Sequence, residues 1–334
     1  MSLDPAVAAV RNAVRRDLVA ADPAPTAVVV ACSGGADSLA LLAATVFVGR
    51  TARDALGVRV VGATVDHGLQ EGSAEHAARV VAQMAALGAD ETVSARVRVE
   101  SEGRGPEAAA REARYAVLAQ VAEQHGAIVL LGHTLDDQAE TVLLGLARGS
   151  GGRSIAGMRR GFDVFRRPLL DVTREETEAA CVADGIGFWS DPHNSDPRFT
   201  RSRLRERVLP VLAEELNPRV RHNLARTADL LRADLEALDE LAALAAERAV
   251  GRGGDGSVAV DLAALDGSPE AIRTRVLRGA ALAAGAVPSE LFAVHVDALA
   301  RLALAPRGSQ VRLPGHVTAL RGAGRIEFAP TPPG

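Results

Sequence analysis

The chain has 334 residues, of which 48% are hydrophobic and 24% charged, with a formal net charge of -4. That length suits two domains with a sizeable buried core, and the negative balance excludes nucleic-acid binding over the whole surface, leaving that task to a local arginine patch. The 38 basic residues are all arginine, which excludes a phosphate loop of the GK[ST] type, a Schiff-base lysine and a lysyl-adenylate intermediate.

Residues 1–23 have the spacing of an amphipathic helix with acids inside it and lack a signal-peptide layout. The longest apolar run, 39–48, is too short to cross a membrane, so a cytoplasmic location without a membrane partner is expected. Short β-branched runs at 27–32, 58–65, 93–99 and 128–132 predict buried strands. Between them, 37–48, 73–88 and 106–125 carry helical spacing. Such alternation predicts an α/β domain, a parallel sheet with helices on both faces, whose ligands bind at the carboxyl ends of the strands. Those ends fall at 33–38, at Asp66 and His67, and at 132–137. Beyond Pro210 the character changes. Residues 218–248 predict a long helix, 251–256 a loop, 269–284 and 289–304 further helices, and 310–328 short strands with turns. The expected organisation is a catalytic domain over 1–217 and a smaller, mainly helical domain over 218–334.

The most informative segment is AVVVAC-SGGADS-LALL. A buried strand runs into Ser33, Gly34, Gly35, Ala36, Asp37 and Ser38, and a helix follows. Paired glycines let backbone amides approach an anion, the helix start adds partial positive charge, and the serines donate hydroxyls. Asp37 would repel bare phosphate, so a Mg²⁺ ion bridging it to the phosphates is its natural use. An isolated SGG would read as a strand-to-helix turn with Asp37 as a helix-start residue. The flanking strand, helix and serines favour phosphate binding.

Two further segments carry candidate chemistry. In GHTLDDQAET, Thr134 is a plausible N-cap, and Asp136, Asp137 and Glu140 suit a helix N-terminus. That does not account for His133 at a strand end beside the phosphate loop. Asp137, Glu140 and Thr141 share a helical face, an anionic cluster for Mg²⁺ or an incoming amine. In DPRFTRSRLRER, Arg198, Arg201, Arg203, Arg205 and Arg207 make the densest basic patch, read either as a solvated face or, in an acidic chain, as a contact for the phosphates of a nucleic acid or a triphosphate; His193 and Asn194 before it are weaker candidates. On helix 106–125, AREARY offers Arg111 and Arg114, read either as a solvated face or as a phosphate contact.

SGGADS resembles the SGGxDS loop of the PP-loop ATP pyrophosphatases, which split ATP between the α and β phosphates and adenylate an oxygen of the substrate. VDHGLQEGSAEHA (65–77) and GHTLDDQAETVLLGLARGSGGRSIAGM (132–158) are similar to segments of the tRNA(Ile)-lysidine synthetases, as are RRPLLDVTREE (166–176) and WSDPHNSDPRFTRSRLRERVLP (189–210). The resemblance spans 26–215 in order and is weaker beyond. Ser202 departs from the Asn usual in the arginine segment, and Gly152 and Ser154 depart after RGSG. The resemblance implies ATP and free L-lysine as substrates, Mg²⁺ as cofactor, and the isoleucine tRNA with a CAU anticodon as partner. It also implies that the wobble cytidine O2 is adenylated with loss of pyrophosphate, and that the lysine ε-amine then attacks C2 to give lysidine and AMP. It assigns ATP to Ser33, Gly34, Gly35, Ala36, Asp37 and Ser38, the metal to Asp37, and catalysis to Asp37, His133, Asp137, Arg114, Arg201 and Arg205. It further implies that 1–217 performs the chemistry and 218–334 recognises tRNA. Whether the chain pairs as a homodimer stays open.

Two rivals remain. A tRNA thiolase of the same superfamily generally needs catalytic cysteines or a cluster, and Cys32 and Cys181 are too few and poorly arranged for either. A nucleotide-binding regulatory protein without catalysis would keep the phosphate loop but would not need the 132–158 segment or the arginine cluster.

Overall fold

The computed structural model describes residues 3–51, 57–66, 68, 72–97, 106–149, 151–189, 196–253 and 257–331. His67, His193 and Asn194 lie outside the described residues. In chain order the elements are α1 (Pro5–Val19), β1 (Ala27–Ala31), α2 (Ala36–Thr51), β2 (Arg59–Asp66), α3 (Ser73–Ala86), β3 (Glu91–Arg96), α4 (Pro106–His125), β4 (Ile128–Leu131) and α5 (Leu135–Arg148). Then come α6 (Gly152–Ile155), β5 (Gly161–Phe162), β6 (Phe165–Arg166), α7 (Arg174–Ala183), α8 (Thr200–Arg203), a π-helical turn (Leu204–Val208) and α9 (Leu209–Glu215). The long α10 (Val220–Ala249), β7 (Val250–Arg252), β8 (Val258–Asp261), α11 (Glu270–Ala283), α12 (Ala293–Leu304), β9 (Gln310–Leu313), β10 (Val317–Arg321) and β11 (Arg325–Pro330) complete the chain. Two compact units form. The first joins 1–148 to 157–228, and the second joins 149–156 to 229–334, so the division falls within α10.

In the first unit the sheet order is β3-β2-β1-β4-β6-β5. β1 is parallel to β2 and β4, β2 to β3 and β4 to β6, while β5 closes the edge antiparallel to β6. Alternate residues of β1 feed two cores, as strand periodicity requires. Val28 and Val30 pack into a cluster built with α1, α2, α3 and α7. Ala27 and Val29 pack into a cluster with Leu118, Val121 and Ala122 of α4. Helices therefore cover both faces, as the alternating pattern predicts. The chain runs outward from β1 to β3 and returns to place β4 on the other side of β1. Strand order reverses between β1 and β4, where doubly wound sheets open a crevice. Gly132, just past β4, permits the close approach there: a Cβ on it would meet the Asp37 carbonyl carbon and the Ser38 amide nitrogen, each at 3.1 Å.

The second unit carries an antiparallel sheet in the order β7-β8-β11-β10-β9, with Val258, Val260, Ile326 and Phe328 buried against α11 and α12. β9 to β11 answer to the short strands expected near 310–328. β7 and β8 were not anticipated, because 251–256 read as a loop.

Candidate functional site

The first strand ends at Ala31, and the loop from Cys32 to Gly35 delivers the chain into α2. Gly34 takes φ +84°, a conformation glycine adopts without the cost of a Cβ. The Ser33 amide donates to Ser38 Oγ at 3.1 Å, and Ser38 Oγ donates to the Gly35 carbonyl at 2.9 Å, which closes the loop on itself. Ala36 is the first residue of α2 and Asp37 the second. Amides at a helix start lack intrahelical acceptors and so are available to an anion.

Asp37 points to the next layer of the site. Its carboxylate accepts from the Thr177 hydroxyl and, at 3.4 Å, from Arg174 Nε. Burial raises its pKa to about 6, against the opposing pull of Arg174. Arg174 is the hub: its Nη2 donates to Asp137 Oδ1 at 3.0 Å, its Nη1 lies 3.9 Å from Glu140 Oε1, and its backbone amide donates to Asp136 Oδ2 at 2.9 Å. Burial opposes the charge of Arg174, but Asp137, Asp37, Glu140 and Asp136 outweigh it and hold the guanidinium above its usual range.

β4 and Gly132 place His133 and α5 beside this cluster. Thr134 takes the N-cap position expected, its carbonyl accepting from the Gln138 amide at 3.1 Å; its hydroxyl donates to Asp137 Oδ2 at 3.1 Å, and its amide donates to the same oxygen at 2.8 Å. Burial works to raise the Asp137 pKa, yet Arg174, Thr134 and His133 together lower it, so this carboxylate stays ionised. Glu140 is fully buried, and burial raises its pKa against the pull of Arg205. Arg205 Nε donates to Glu140 Oε1 at 2.8 Å, and Arg201 Nη1 lies 3.5 Å from Oε2. Arg201 and Arg205 therefore turn towards α5 rather than forming a plain solvated face. The acids expected to offer themselves to a metal or amine are already countered by arginines.

His133 accepts from Arg167 Nε at its Nδ1, at 3.3 Å. Burial pushes its pKa down to about 4, with Asp137 opposing and Arg167 adding. At neutral pH it is an uncharged imidazole with its proton on Nε2, a hydrogen-bond donor rather than a cation. Arg114 Nε is buried with no hydrogen-bond partner, and burial lowers the pKa of the side chain. An uncompensated guanidinium beside a cleft suits an anionic ligand. Ser33, Gly35, Asp37, Ser38, Arg114, His133, Asp137, Arg174 and Arg205 line one cavity of about 940 Å³ at the carboxyl ends of β1, β2 and β4.

Four residues singled out in sequence, Arg114, His133, Asp137 and Arg205, thus share a cavity wall with the loop, and Arg201 reaches the cluster through Glu140. Arg174, Thr177 and Arg167 were missed. A signal existed for the first two: Thr173 and Glu176 form a capping box, which fixes α7 to begin at Arg174 and sets Arg174 and Thr177 one turn apart on one face.

The thiols take no part in this arrangement. Cys32 and Cys181 are buried, and burial pushes each pKa up to about 12. Neither is a thiolate at neutral pH.

A family model described as "PP-loop domain" matches residues 9–212, and one described as "TilS substrate binding domain" matches 261–326. The sheet order, the glycine loop and the first of these matches define a PP-loop protein that uses ATP. The chain is 54% identical over 324 residues to a "tRNA(Ile)-lysidine synthase" of Thermobifida fusca (strain YX), covering 96% of this chain and 97% of that one. It is 50% identical over 339 residues to a protein of the same name from Salinispora arenicola (strain CNS-205), covering 99% of each. Among solved structures, a U34-tRNA thiolase from Methanococcus maripaludis with its [4Fe-4S] cluster shares the fold, with a TM-score of 0.54 and 16% identity over 68% of this chain and 80% of that one. The chain belongs to the tRNA(Ile)-lysidine synthase family.

Proposed function

We propose that the protein ligates L-lysine to C2 of the wobble cytidine in the CAU-anticodon isoleucine tRNA, consuming ATP and releasing pyrophosphate and AMP. The observation that carries this reading is the single cavity in which the phosphate loop of β1 and α2 faces the carboxylate–arginine cluster of α5 and α7. A pyrimidine carbonyl oxygen is a poor leaving group, and adenylation makes it a good one. Attack of O2 on the α-phosphate forms the new P–O bond as the α–β bond breaks. Attack of the lysine ε-amine on C2 then expels AMP. The loop amides and Ser38 hold the leaving phosphates. Arg114 adds positive charge, and neutral His133 donates a hydrogen bond from Nε2. The acids of α5 give an incoming ammonium group a counter-charge in exchange with arginine.

Mg²⁺ fits this donor set. Asp37 supplies a hard carboxylate oxygen beside the loop, and such an ion takes one or two carboxylates and completes its shell with phosphate oxygens and water. Held by Asp37 and ATP, the ion would spread the charge of the departing pyrophosphate. No helix among the described residues is long and apolar enough to cross a membrane, and a cytoplasmic site of action suits a tRNA substrate.

Purified protein incubated with ATP, labelled lysine and the isoleucine tRNA is expected to yield AMP and pyrophosphate with label in the tRNA. ADP and phosphate as products would refute the assignment. We further propose that residues 1–217 perform the chemistry and 218–334 recognise the tRNA body. The arginines Arg219, Arg221, Arg226 and Arg232 in the second segment support this, as does the family match at 261–326. A chain ending at Asn217 is expected to bind ATP but to lose most of its tRNA affinity. Undiminished tRNA affinity in that fragment overturns the division.

A further inference from the structure

Helix α3 packs against the phosphate loop at Ser33 and Gly34. His76 Nε2 lies 2.8 Å from the Ser33 carbonyl oxygen. A ring nitrogen facing a carbonyl oxygen must be the N–H donor. The backbone amide of Trp189 donates to the Gly34 carbonyl at 2.9 Å. The His76 and Trp189 rings lie against each other with centroids 4.3 Å apart and planes tilted by 49°. Gly34 fits beneath them only because it has no side chain: a Cβ there would lie 2.8 Å from Val80 Cγ2 and 3.1 Å from His76 Cε1.

Two consecutive carbonyls are therefore fixed from one side. In a trans peptide the carbonyl oxygen and the following N–H point in opposite directions within one rigid plane. Fixing the Ser33 oxygen thus fixes the Gly34 N–H, and fixing the Gly34 oxygen fixes the Gly35 N–H. Among the described residues neither amide donates to a protein acceptor. His76 meanwhile keeps its Nδ1 buried without a partner. A lone pair hidden in this way costs free energy, which the contact to the loop must offset.

We propose that His76 and Trp189 are positioning residues that aim the Gly34 and Gly35 amides at the phosphates of ATP. The proposal rests on the loop being the ATP phosphate site, as argued under Proposed function. It differs in what it demands: affinity for the phosphates should depend on a side chain of α3 that touches no reacting atom.

The test uses the full chain and calorimetric titration with ATP, inorganic pyrophosphate and adenosine, with thermal unfolding followed in parallel. His76→Phe keeps a ring against Trp189 and removes the donor. His76→Gln restores an N–H at the reach of Nε2. His76→Phe is expected to weaken ATP and pyrophosphate by about tenfold, the worth of one hydrogen bond, to leave adenosine affinity unchanged, and to be largely rescued in His76→Gln. Should His76→Phe fail to fold, His76→Asn, whose amide stops short of Ser33, is read in its place. Unchanged pyrophosphate affinity overturns the proposal. So does an equal loss for adenosine, or no recovery in His76→Gln, since either marks general damage to the fold. Wild-type protein that binds adenosine but neither ATP nor pyrophosphate overturns the reading of the loop itself, and the proposal with it.

Discussion

Arg174→Met is expected to lower adenylation by about 10²–10³-fold and stability by about 3–5 kcal/mol. Among the described residues the side chain is the one cation that reaches all three of Asp37, Asp137 and Glu140, while its own amide holds Asp136. Removing one partner of a buried ionic network leaves the others desolvated and uncompensated, which costs more than the pairing itself was worth. Methionine fills much of the volume, so the loss reports charge rather than a cavity. Arg205 remains 3.9 Å from Asp137 and 2.8 Å from Glu140, so those two acids keep a counter-charge. Among the described residues Asp37 then keeps only Thr177 as a hydrogen-bond donor. The functional loss should therefore appear first at the phosphate loop, as weaker ATP turnover, before lysine transfer is limited. Arg174→Lys should recover little, because a compact ammonium cannot fork to several acids at once. Pyrophosphate release and denaturant unfolding measured on the same samples check both numbers. Near-wild-type values for both in Arg174→Met would remove the hub role assigned to it.

Much of the first unit was legible because its central strands β1, β2 and β4 are buried on both faces and read as continuous apolar runs, whereas β3, expected as a buried strand at 93–99, lies at the sheet edge with no residue fully buried. The run 27–32 became Ala27–Ala31 and the run 128–132 became Ile128–Leu131. The helical spans 73–88 and 106–125 became α3 and α4 with ends shifted by two residues at most. The phosphate loop was legible for a related reason: its chemistry lies in contiguous residues. The rest of the site was not, because it converges from α2, α5, α7 and the turn after α8. Arg174 is a lone arginine in TREE, and nothing local says that it meets Asp37, 137 positions away. Arg201 and Arg205 have helical spacing, but a π-turn begins at Leu204 between them, and their common partner Glu140 is visible only in three dimensions. β7 and β8 escaped because each has four residues or fewer and they flank a glycine-rich segment, where pattern carries little information.

Asp37→Asn is expected to abolish adenylation while stabilising the folded protein at neutral pH. The folded carboxyl holds its proton up to about pH 6, whereas its ordinary pKa is 3.8. Between those values the native state binds more protons than the unfolded chain, so stability falls as pH rises. Below the lower value no penalty exists, and above the upper one it is constant. At about 1.4 kcal/mol per pH unit the full penalty is about 3 kcal/mol. Asparagine keeps an oxygen for Thr177 and Arg174 but carries no charge to desolvate. The stability advantage of Asp37→Asn should therefore grow between pH 4.5 and 6 and stay level from pH 6 to 8. Denaturant unfolding in EDTA at each pH, which keeps divalent cations off the carboxylate, measures it. Adenylation should be lost at every pH, because the amide cannot serve as an anionic ligand for a cation bound with ATP. The two readouts separate two roles. An advantage that grows with pH alongside lost activity means that the wild-type loop carries a destabilising charge kept for catalysis, as strained functional sites do. An advantage that does not vary with pH would show that burial does not hold Asp37 protonated. Retained adenylation would show that its charge is not needed.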